Sequence, residues 1–280
     1  MDGRAHRSRG QIVNEIETIL CKVLGCDRSG LYLGAGRKAL SGRQLDRLGE
    51  ILKKRAGGEP LQYLVGDTEF MGLKIKVSPG VLIPRPETEV LVEAALGQMA
   101  LLQRPLDVLD IGTGSGNIAI AMAAGDREGR YNIFAVDISD TCLKKARSNS
   151  KLNGVADKIT FLKSDIFSCF KGLKKTFDCI ISNPPYIAEK DYDGLPSDVK
   201  NEPSSALLAA DEGFYFYKEI EKGARRYLAP SGMIFLEIGD GQADGIKNIF
   251  CDKHIWNKIS IVKDYNDRDR VAIVYRQSKV

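Results

Sequence analysis

Residues 108–116 of the chain read Val-Leu-Asp-Ile-Gly-Thr-Gly-Ser-Gly, a mostly apolar run that passes directly into a glycine-rich turn. An apolar segment with helical character follows at residues 118–124. Glycine adopts positive φ readily, and without a Cβ it lets a ligand approach the backbone. The first N–H groups of a helix have no partner within that helix, so a ligand can bind them. The stretch therefore predicts a strand, a ligand-binding turn and a helix.

Predicted strands and helices alternate along the chain beyond this turn. Such alternation is typical of an α/β fold in which helices cover both faces of a mostly parallel sheet. The last two predicted strands have no helix between them, so we expect one of them to run antiparallel. The predicted strands cover residues 108–111, 133–136, 159–162, 179–181, 233–238, 259–262 and 272–275, and the predicted helices cover residues 119–123, 143–152 and 215–227.

An acidic residue comes at the end of each of the next two predicted strands. Asp137 ends the strand Phe134-Ala135-Val136, where a carboxylate can accept hydrogen bonds from both ribose hydroxyls of a nucleoside. Asp165 closes the strand 160–163, where it can hold an adenine amino group, and Ile166 beside it can pack on the adenine ring. Ligands of open α/β sheets bind at these carboxyl ends of the strands, so the sequence predicts a nucleoside site here.

The spacing of the glycines narrows the kind of nucleoside. It is G-x-G-x-G, whereas the dinucleotide-binding fingerprint has its third glycine one position later. The combined pattern resembles the class I S-adenosylmethionine-dependent methyltransferases, which have a Rossmann-like, mostly parallel seven-stranded sheet. The predicted cofactor-binding residues in this part of the chain are Gly112, Thr113, Gly114, Ser115, Gly116, Asp137, Asp165 and Ile166.

The tetrapeptide Asn183-Pro184-Pro185-Tyr186 follows the predicted strand 177–182 and is the sharpest chemical signal in the chain. Two prolines make the turn stiff and remove backbone donors. The Asn183 side-chain oxygen and the Pro184 carbonyl can each accept one hydrogen bond from an –NH₂ group, while Tyr186 offers an aromatic face. A nitrogen held in this way needs positioning rather than a strong base to accept a methyl group. The turn alone leaves adenine, guanine and glutamine open as the substrate.

The N-terminal residues show helical spacing of apolar positions. The break near Ser41 separates two predicted helices, and Gly57-Gly58 with Pro60 ends the second. A hairpin is predicted around Met71-Gly72, and a further helix opens at residues 84–89 with Pro86 in its first position. We predict three parts: a helical domain at residues 1–65, a β-hairpin linker at 66–80 and the catalytic domain at 81–280. The apolar positions with helical spacing are Ile12, Ile16, Leu20, Val23, Leu45, Leu48, Ile51 and Leu52.

Composition excludes several classes of protein. The 280 residues contain no apolar run long enough for a membrane helix, and the polar start of the chain does not resemble a secretory signal, so a cytoplasmic location is expected. Six cysteines without a C-x-x-C pair and two histidines, His6 and His254, make a metal site unexpected. The net charge is +4, and residues 1–80 carry 14 Lys/Arg against 9 Asp/Glu. This mild excess favours an acidic partner without indicating nucleic-acid binding.

Several further motifs resemble the release factor glutamine methyltransferase family (HemK/PrmC). They occur in the family's order along nearly the whole chain. They are Gly58-Glu59-Pro60-Leu61-Gln62-Tyr63, Phe70-Met71-Gly72-Leu73, Val81-Leu82-Ile83-Pro84-Arg85-Pro86-Glu87-Thr88-Glu89, Glu202-Pro203 with Ala206-Leu207, Leu236-Glu237-Ile238-Gly239 with Gln242, and Asp264 with Arg268-Asp269-Arg270.

The resemblance implies methyl transfer from S-adenosyl-L-methionine to the glutamine of a Gly-Gly-Gln loop in peptide-chain release factors, leaving S-adenosyl-L-homocysteine. It implies that the small helical domain recognises the substrate, that Asn183 contacts both cofactor and glutamine, and that Pro184, Pro185 and Tyr186 complete the glutamine pocket. Arg85 and Thr88 are implied as a lid beside the cofactor. A monomer without membrane or direct nucleic-acid contact is expected.

Two departures from the family pattern and three alternatives remain. Ile166 stands where many members carry an aromatic residue, so aliphatic packing would replace stacking on adenine. Asp267 stands where the family often has glycine. The alternatives are a methyltransferase acting on adenine or guanine amino groups, a glutamine methyltransferase for a ribosomal protein, and a non-enzymatic binding module. Residues 81–280 carry 27 Lys/Arg against 28 Asp/Glu, which disfavours the first because a basic catalytic face would be expected.

Overall fold

The computed structural model of the chain describes residues 9–34 and 39–278, with side chains from residue 15 onward. Within the described residues the chain forms two compact units. The first comprises the residues up to Asp67 together with Pro196–Asn201, and the second comprises Thr68–Leu195 and the residues from Glu202 onward. Among the described residues, no helix combines the length and apolar character that crossing a bilayer would require.

The first unit is helical, as the apolar spacing predicted. Its helix α3 (Gly42–Ala56) begins with a capping box, in which the Ser41 hydroxyl accepts from the Gln44 N–H and the Gln44 side chain accepts in return from the Ser41 N–H. Asn201 donates a hydrogen bond to the Gly58 carbonyl and so ties the later segment to this unit. The helices are α1 (Arg9–Leu24), α2 (Arg28–Leu33), α3 (Gly42–Ala56), α4 (Leu61–Val65) and, in the later segment, α8 (Ser197–Lys200).

The core of the first unit contains only part of the predicted apolar positions. Ile19, Val23 and Ile51 are buried against one another. Ile16, Leu45 and Leu52 are at least 47% exposed, although they share the helical spacing. The side chain of Ile12, like the whole of His6, lies outside the described residues. The helical prediction is therefore confirmed, and only some of the regularly spaced apolar residues are buried.

A two-stranded hairpin opens the second unit, as predicted. The turn residues Met71 and Gly72 have φ of 50° and 74°. Positive φ at both central residues is the geometry that joins two antiparallel strands most tightly, which explains the glycine. Glu89 accepts a hydrogen bond from the Met71 N–H at 2.7 Å and so anchors the turn. The strands are β1 (Asp67–Phe70) and β2 (Leu73–Lys76).

The centre of the second unit is a seven-stranded sheet. Its strand order is β5-β4-β3-β6-β7-β9-β8. The first five strands in that order are parallel, and β9 runs antiparallel to both of its neighbours, so the expected antiparallel strand is the last one in the chain. The strands are β3 (Leu106–Ile111), β4 (Tyr131–Asp137), β5 (Ile159–Lys163), β6 (Phe177–Ser182), β7 (Leu228–Glu237), β8 (Trp256–Lys263) and β9 (Asp269–Arg276).

Helices cover the sheet and leave its central strands almost wholly buried. Every residue of β3 except Asp107, and every residue of β6 except Asp178, is buried. Strands covered on both faces read as continuous apolar runs rather than alternating ones, which is why residues 108–111 are conspicuous in the sequence. The helices of this unit are α5 (Pro86–Met99), α6 (Asn117–Gly125), α7 (Asp140–Leu152), α9 (Tyr215–Tyr227) and α10 (Ala243–Ile249).

The strand order reverses at β3, and this reversal positions the functional site. The chain passes from β3 to β4 and β5 on one side, then returns to place β6 on the other side of β3. Loops leaving the carboxyl ends of neighbouring strands therefore turn in opposite directions and leave a crevice between them. The glycine turn after β3, Asp137 at the end of β4, Asp165 after β5 and Asn183 after β6 all lie on this edge.

The second departure from the family pattern has a local explanation. Asp267, in the turn between β8 and β9, has φ of 61°. Glycine enters this left-handed region freely, and Asp is among the few other residues that tolerate it. Asp264 supports the turn by accepting hydrogen bonds from the N–H groups of Asn266 and Arg268.

Gly223 tests how closely α9 packs against the loop that follows β5. A Cβ at this position would lie 2.2 Å from the Phe167 ring, which is too close for the ring to remain in place. We expect Gly223→Ala to lower the free energy of unfolding by about 1–3 kcal/mol, measured by urea denaturation. The matched control is Gly97→Ala on α5, where a Cβ meets nothing within 4 Å; it should be stabilising by about 0.5–1 kcal/mol. Equal stabilities of the two variants would contradict this packing.

Candidate active site

The glycine turn folds over the end of the neighbouring strand β4. Gly112, Gly114 and Gly116 all have positive φ, between 55° and 85°. The N–H groups of Gly112 and Thr113 both donate to the Val136 carbonyl, at 2.9 and 3.0 Å. The glycines are thus required by the backbone conformation, as the sequence predicted. An added Cβ on Gly112 would meet no protein atom within 4 Å, so open space lies beside this residue.

Gly116 has a packing role that the motif alone does not reveal. It precedes α6, and a Cβ there would lie 2.9 Å from the Ala146 Cβ on α7. The glycine therefore allows α6 and α7 to approach each other. Gly116 does not line the pocket that the rest of the turn borders.

Asp137 is buried and held by two backbone N–H groups. Its Oδ2 accepts from Gly114 and its Oδ1 from Ser139, both at 2.8 Å. Burial raises the pKa of the Asp137 carboxyl, and the N–H donors partly oppose this rise. Each oxygen keeps a second lone pair, so the carboxylate can still accept from a ligand. The bond from Gly114 also fixes the glycine turn against the carboxylate.

The loop after β5 holds Ile166 in an uncommon backbone conformation. Ile166 has φ of 49°, a region that β-branched residues rarely enter. The Ser164 hydroxyl donates to the Ile166 carbonyl at 3.0 Å and accepts from the Cys169 N–H at 3.1 Å. The Asp165 N–H donates to the Ser168 hydroxyl at 2.9 Å. These bonds hold the loop so that Ile166 and the exposed Asp165 both border the pocket.

The side-chain amide of Asn183 is anchored from behind. Its Nδ2 donates to the Thr88 Oγ1 at 3.1 Å. Thr88, which is almost fully buried in the first turn of α5, donates in turn to the Glu237 Oε2 at 2.7 Å. Because its nitrogen is engaged with Thr88, the Oδ1 of Asn183 is the atom left for a ligand. Pro184 and Pro185 line the same pocket.

Tyr186 lies at the edge of this arrangement and does not line the pocket. Its carbonyl accepts from the Gln242 Nε2 at 3.1 Å. A Cβ on Gly213 would stand 2.3 Å from that carbonyl oxygen, so the glycine is needed for the turn to sit where it does. Burial raises the pKa of the Tyr186 hydroxyl, which therefore stays protonated near neutral pH.

A buried carboxylate pins the segment that precedes α5. The Glu202 carboxylate forms an ion pair with the Arg85 guanidinium, and its Oε2 accepts from the Ile83 N–H at 2.8 Å. The side chain of Glu202 is almost fully buried, whereas Arg85 is about one-third exposed. The segment containing Arg85 is therefore fastened beside the pocket in this structure.

Twelve of the fourteen residues predicted for the site border one pocket of the second unit. The exceptions are Gly116 and Tyr186, each of which adjoins residues that do border it. The twelve are Arg85, Thr88, Gly112, Thr113, Gly114, Ser115, Asp137, Asp165, Ile166, Asn183, Pro184 and Pro185.

The sequence did not indicate several other residues of the site. Asn149 on α7 is fully buried and links two elements, because its Nδ2 donates to the Ser115 and Lys76 carbonyls while its Oδ1 accepts from the Lys76 N–H. A single asparagine in an ordinary helical pattern carries no signal for this role. The pocket is also bordered by Leu82, Ile118, Ser139, Pro203, Phe216 and Ile220. Of these, Leu82 and Pro203 lie in family motifs singled out from the sequence, without a role assigned to either.

Known protein families match both the N-terminal helical part of the chain and the part that contains the seven-stranded sheet. A family model described as a methyltransferase domain matches residues 102–264, and one described as the PrmC N-terminal domain matches residues 6–66. The chain is 39% identical over 270 residues to a release factor glutamine methyltransferase of Thermodesulfovibrio yellowstonii, covering 96% of this chain and 94% of that protein. A release factor glutamine methyltransferase of Bacillus anthracis is 33% identical over 269 residues, covering 95% and 93%.

A solved structure supports the fold on separate grounds. A methyltransferase from Pyrococcus furiosus matches with a TM-score of 0.52 at 19% identity, covering 84% of this chain and 99% of that one. At this level of identity the likeness concerns the arrangement of strands and helices alone.

The buried carboxyl of Asp110, in the strand that leads into the glycine turn, should make the stability of the protein depend on pH. Burial raises the pKa of its carboxyl to about 7, although the Thr113 hydroxyl donates to it at 2.6 Å. Above its ordinary pKa of 3.8 the unfolded chain releases a proton that the folded protein retains up to about 7, so this group's contribution to stability falls as pH rises through that window. Asp110→Asn should therefore gain on the order of 1–3 kcal/mol relative to wild type between about pH 5 and about pH 8. Urea unfolding at both pH values checks this, and a constant difference would contradict it.

Proposed function

The chain belongs to the release factor glutamine methyltransferase family, and from this premise we propose that it transfers a methyl group from S-adenosyl-L-methionine to the side-chain amide nitrogen of the glutamine in the Gly-Gly-Gln loop of peptide-chain release factors. Its fold is that of a class I methyltransferase with a small N-terminal helical domain. One observation carries the proposal most directly: Asn183 and Pro184 border the same pocket as the glycine turn and Asp137. Acceptors suited to an amide thus stand beside residues suited to a nucleoside.

The residues around the glycine turn fit S-adenosyl-L-methionine, which supplies an electrophilic methyl group on a sulfonium. Gly112 leaves open space where a side chain would stand, so a ligand can approach the backbone of the turn. Asp137 has lone pairs free to accept from two ribose hydroxyls, and its own N–H donors keep it in position. Ile118 and Ile166 provide apolar walls for a base. We assign Asp165 to the adenine amino group.

Binding of the glutamine is assigned to the rigid turn after β6. A carboxamide nitrogen is a poor nucleophile because its lone pair is delocalised into the carbonyl. We assign one of its hydrogens to the Asn183 Oδ1 and the other to the Pro184 carbonyl. With both N–H bonds held, the nitrogen can pyramidalise and direct its lone pair towards the methyl group. This contribution is orientation together with stabilisation of the charge that develops on nitrogen.

The site needs no strong base for this reaction. Once the nitrogen has formed its bond to the methyl group it is cationic, and it then loses a proton readily to water. Tyr186 keeps its own proton because burial raises the pKa of its hydroxyl, so we assign it to packing around the turn rather than to proton transfer. The products are the N-methylated glutamine and S-adenosyl-L-homocysteine.

The remaining assignments follow the division of the chain. We propose that the helical domain at residues 1–65 recognises the release factor, that the hairpin at 66–80 links it to the rest, and that residues 81–280 carry out the transfer. The basic excess within residues 1–80 suits an acidic surface on the partner. We propose that the enzyme acts as a monomer in the cytoplasm without direct nucleic-acid contact.

Label transfer identifies the substrate. The protein is incubated with methyl-labelled S-adenosyl-L-methionine and either a purified release factor or the same factor with its loop glutamine replaced by alanine. We expect label on the unaltered factor only, because the altered one lacks the acceptor amide. A ribosomal-protein fraction serves as the competing substrate. Label that persists on the altered factor would show that another group is methylated.

Asn183→Ala tests the catalytic turn. Removing one of the two acceptors should lower kcat by on the order of 10²-fold, the loss found when a single transition-state hydrogen bond is removed. Steady-state kinetics with the release factor measures this. Asn248→Ala is the matched control, since Asn248 is exposed on α10 and does not border the pocket; its kcat should equal that of wild type. Unchanged turnover of Asn183→Ala would remove Asn183 from the mechanism.

A further inference from the structure

A buried hydrogen-bonded chain supports the Asn-Pro-Pro-Tyr turn from behind. Strands β6 and β7 are paired up to Ser182 and Leu236, so Asn183 and Glu237 come next to each other at the sheet edge. Thr88, from α5, lies between their side chains and bonds to both. Thr88 and Glu237 are each only 1% exposed. Water therefore has little access to exchange these partners.

The hydrogen bonds that join Glu237, Thr88 and Asn183 can run in only one direction when Glu237 is ionised. A carboxylate only accepts hydrogen bonds, and a threonine hydroxyl has a single proton to give. Thr88 gives that proton to Glu237, so towards Asn183 it can only accept. The Asn183 amide must then turn its Nδ2 to Thr88 and its Oδ1 the other way. The reversed amide would require Thr88 to donate twice, or would leave the buried Glu237 carboxylate without its donor, which is costly.

We propose that Thr88 and Glu237 are positioning residues that fix the Asn183 side-chain amide so that its Oδ1, and not its Nδ2, faces the substrate. This inference rests on the proposed function, because an –NH₂ group of the substrate needs an acceptor there. If the Asn183 Nδ2 occupied that place, its N–H would face the N–H of the substrate, and two donors cannot form a hydrogen bond with each other. The Glu237 carboxylate, which does not touch the substrate, therefore determines through Thr88 which atom of the Asn183 amide is available as the acceptor.

Glu237 is also connected to the other end of the turn, through its backbone. The Tyr217 hydroxyl donates to the Glu237 backbone carbonyl at 2.9 Å and lies 3.3 Å from the Gln242 Oε1. Gln242 in turn donates through its Nε2 to the Tyr186 carbonyl. Glu237 is therefore linked to Asn183 through Thr88, and to Tyr186 through Tyr217 and Gln242.

Protonation of Glu237 would remove the fixed direction. Burial raises the pKa of its carboxyl to about 7, opposed by the Thr88 bond and by the Arg270 guanidinium. Glu87 is the other charged group near it, and Tyr186 and Tyr217 are the neighbouring hydroxyls. A protonated Glu237 can donate to Thr88, which can then donate to the Asn183 Oδ1 and stabilise the reversed amide. The active orientation is accordingly favoured above the pKa and lost as pH falls through it.

Three variants test the proposal by kinetics. Thr88→Val removes the hydroxyl at constant shape, and Glu237→Gln replaces the obligate acceptor by a group that can also donate. Each should lower kcat by roughly 10-fold to 100-fold. This is the loss found when a residue that orients an active side chain from behind is removed, as with the outer hydrogen-bond partners of metal ligands. The Kd for S-adenosyl-L-homocysteine, measured by calorimetry, should change by a smaller factor than kcat does, since Asp137 and the glycine turn are untouched. Thr88→Ser keeps the hydroxyl and should restore kcat to within about threefold of wild type.

The pH profile separates positioning from general structural damage. Wild-type kcat should fall as pH drops through about 7, whereas Glu237→Gln should lack that limb because its amide does not titrate. Circular dichroism confirms that each variant is folded. Wild-type kcat in Thr88→Val, or failure of Thr88→Ser to recover activity, would overturn the proposal.

A measurement on the free protein keeps this test independent of the substrate assignment. In wild type at about pH 8, above the Glu237 pKa, the Asn183 side-chain amide protons should show a nuclear Overhauser contact to the Thr88 methyl group, and Glu237→Gln should weaken it. Absence of the contact in wild type, or an unchanged contact in the variant, would overturn the positioning role. Lack of label transfer by wild type would instead defeat the proposed function and leave the amide contact to decide the inference.

Discussion

The pairing of β3 with β4 on one side and β6 on the other is the constraint on which the site depends. Ile111, the last residue of β3, is level with Val136 and with Ser182. The Ser182 hydroxyl donates to the Ile111 carbonyl at 2.8 Å and reinforces the alignment at this end. Because the register is set by buried side chains on both faces, the loops that follow these strands start side by side. A ligand held by the glycine turn is then within reach of Asn183, although more than 65 residues of sequence separate them.

Three buried polar side chains, those of Asn149, Glu202 and Glu237, maintain the site, and each is stabilised by specific partners. A buried carboxylate or amide without partners costs several kcal/mol, so these groups are tolerated only where their hydrogen bonds are made. Asn149 uses both ends of its amide to tie the glycine turn to β2. Glu202 fastens the segment before α5. Glu237 controls the turn after β6 through Thr88. Three separate loops around one pocket are thus fixed by side chains that need not touch a ligand.

The sequence predicted the features that rest on local patterns. Apolar runs predicted the buried strands. Three closely spaced glycines predicted the turn, and all three have positive φ in the structure. The position of Asp137 directly after an apolar run predicted that its carboxylate lies at the carboxyl end of β4. The sequence could not indicate contacts between distant elements, such as Asn149 with Lys76 or the grouping of Pro196–Asn201 with the helical unit. It also gave no sign that Ile166 has positive φ, because the serine hydroxyls that hold that loop look like ordinary surface residues. The helical repeat also could not show that Ile16 and Leu45 are exposed, because spacing alone does not say which elements cover a helix.

A crystal structure with S-adenosyl-L-homocysteine and a Gly-Gly-Gln peptide would show whether the turn after β6 holds the glutamine amide beside the cofactor. We expect the glutamine nitrogen to lie within about 2.7–3.2 Å of both the Asn183 Oδ1 and the Pro184 carbonyl oxygen and to face the cofactor sulfur across the space of one methyl group. Cofactor product seated away from the glycine turn and Asp137, or a glutamine amide that meets neither acceptor, would contradict it.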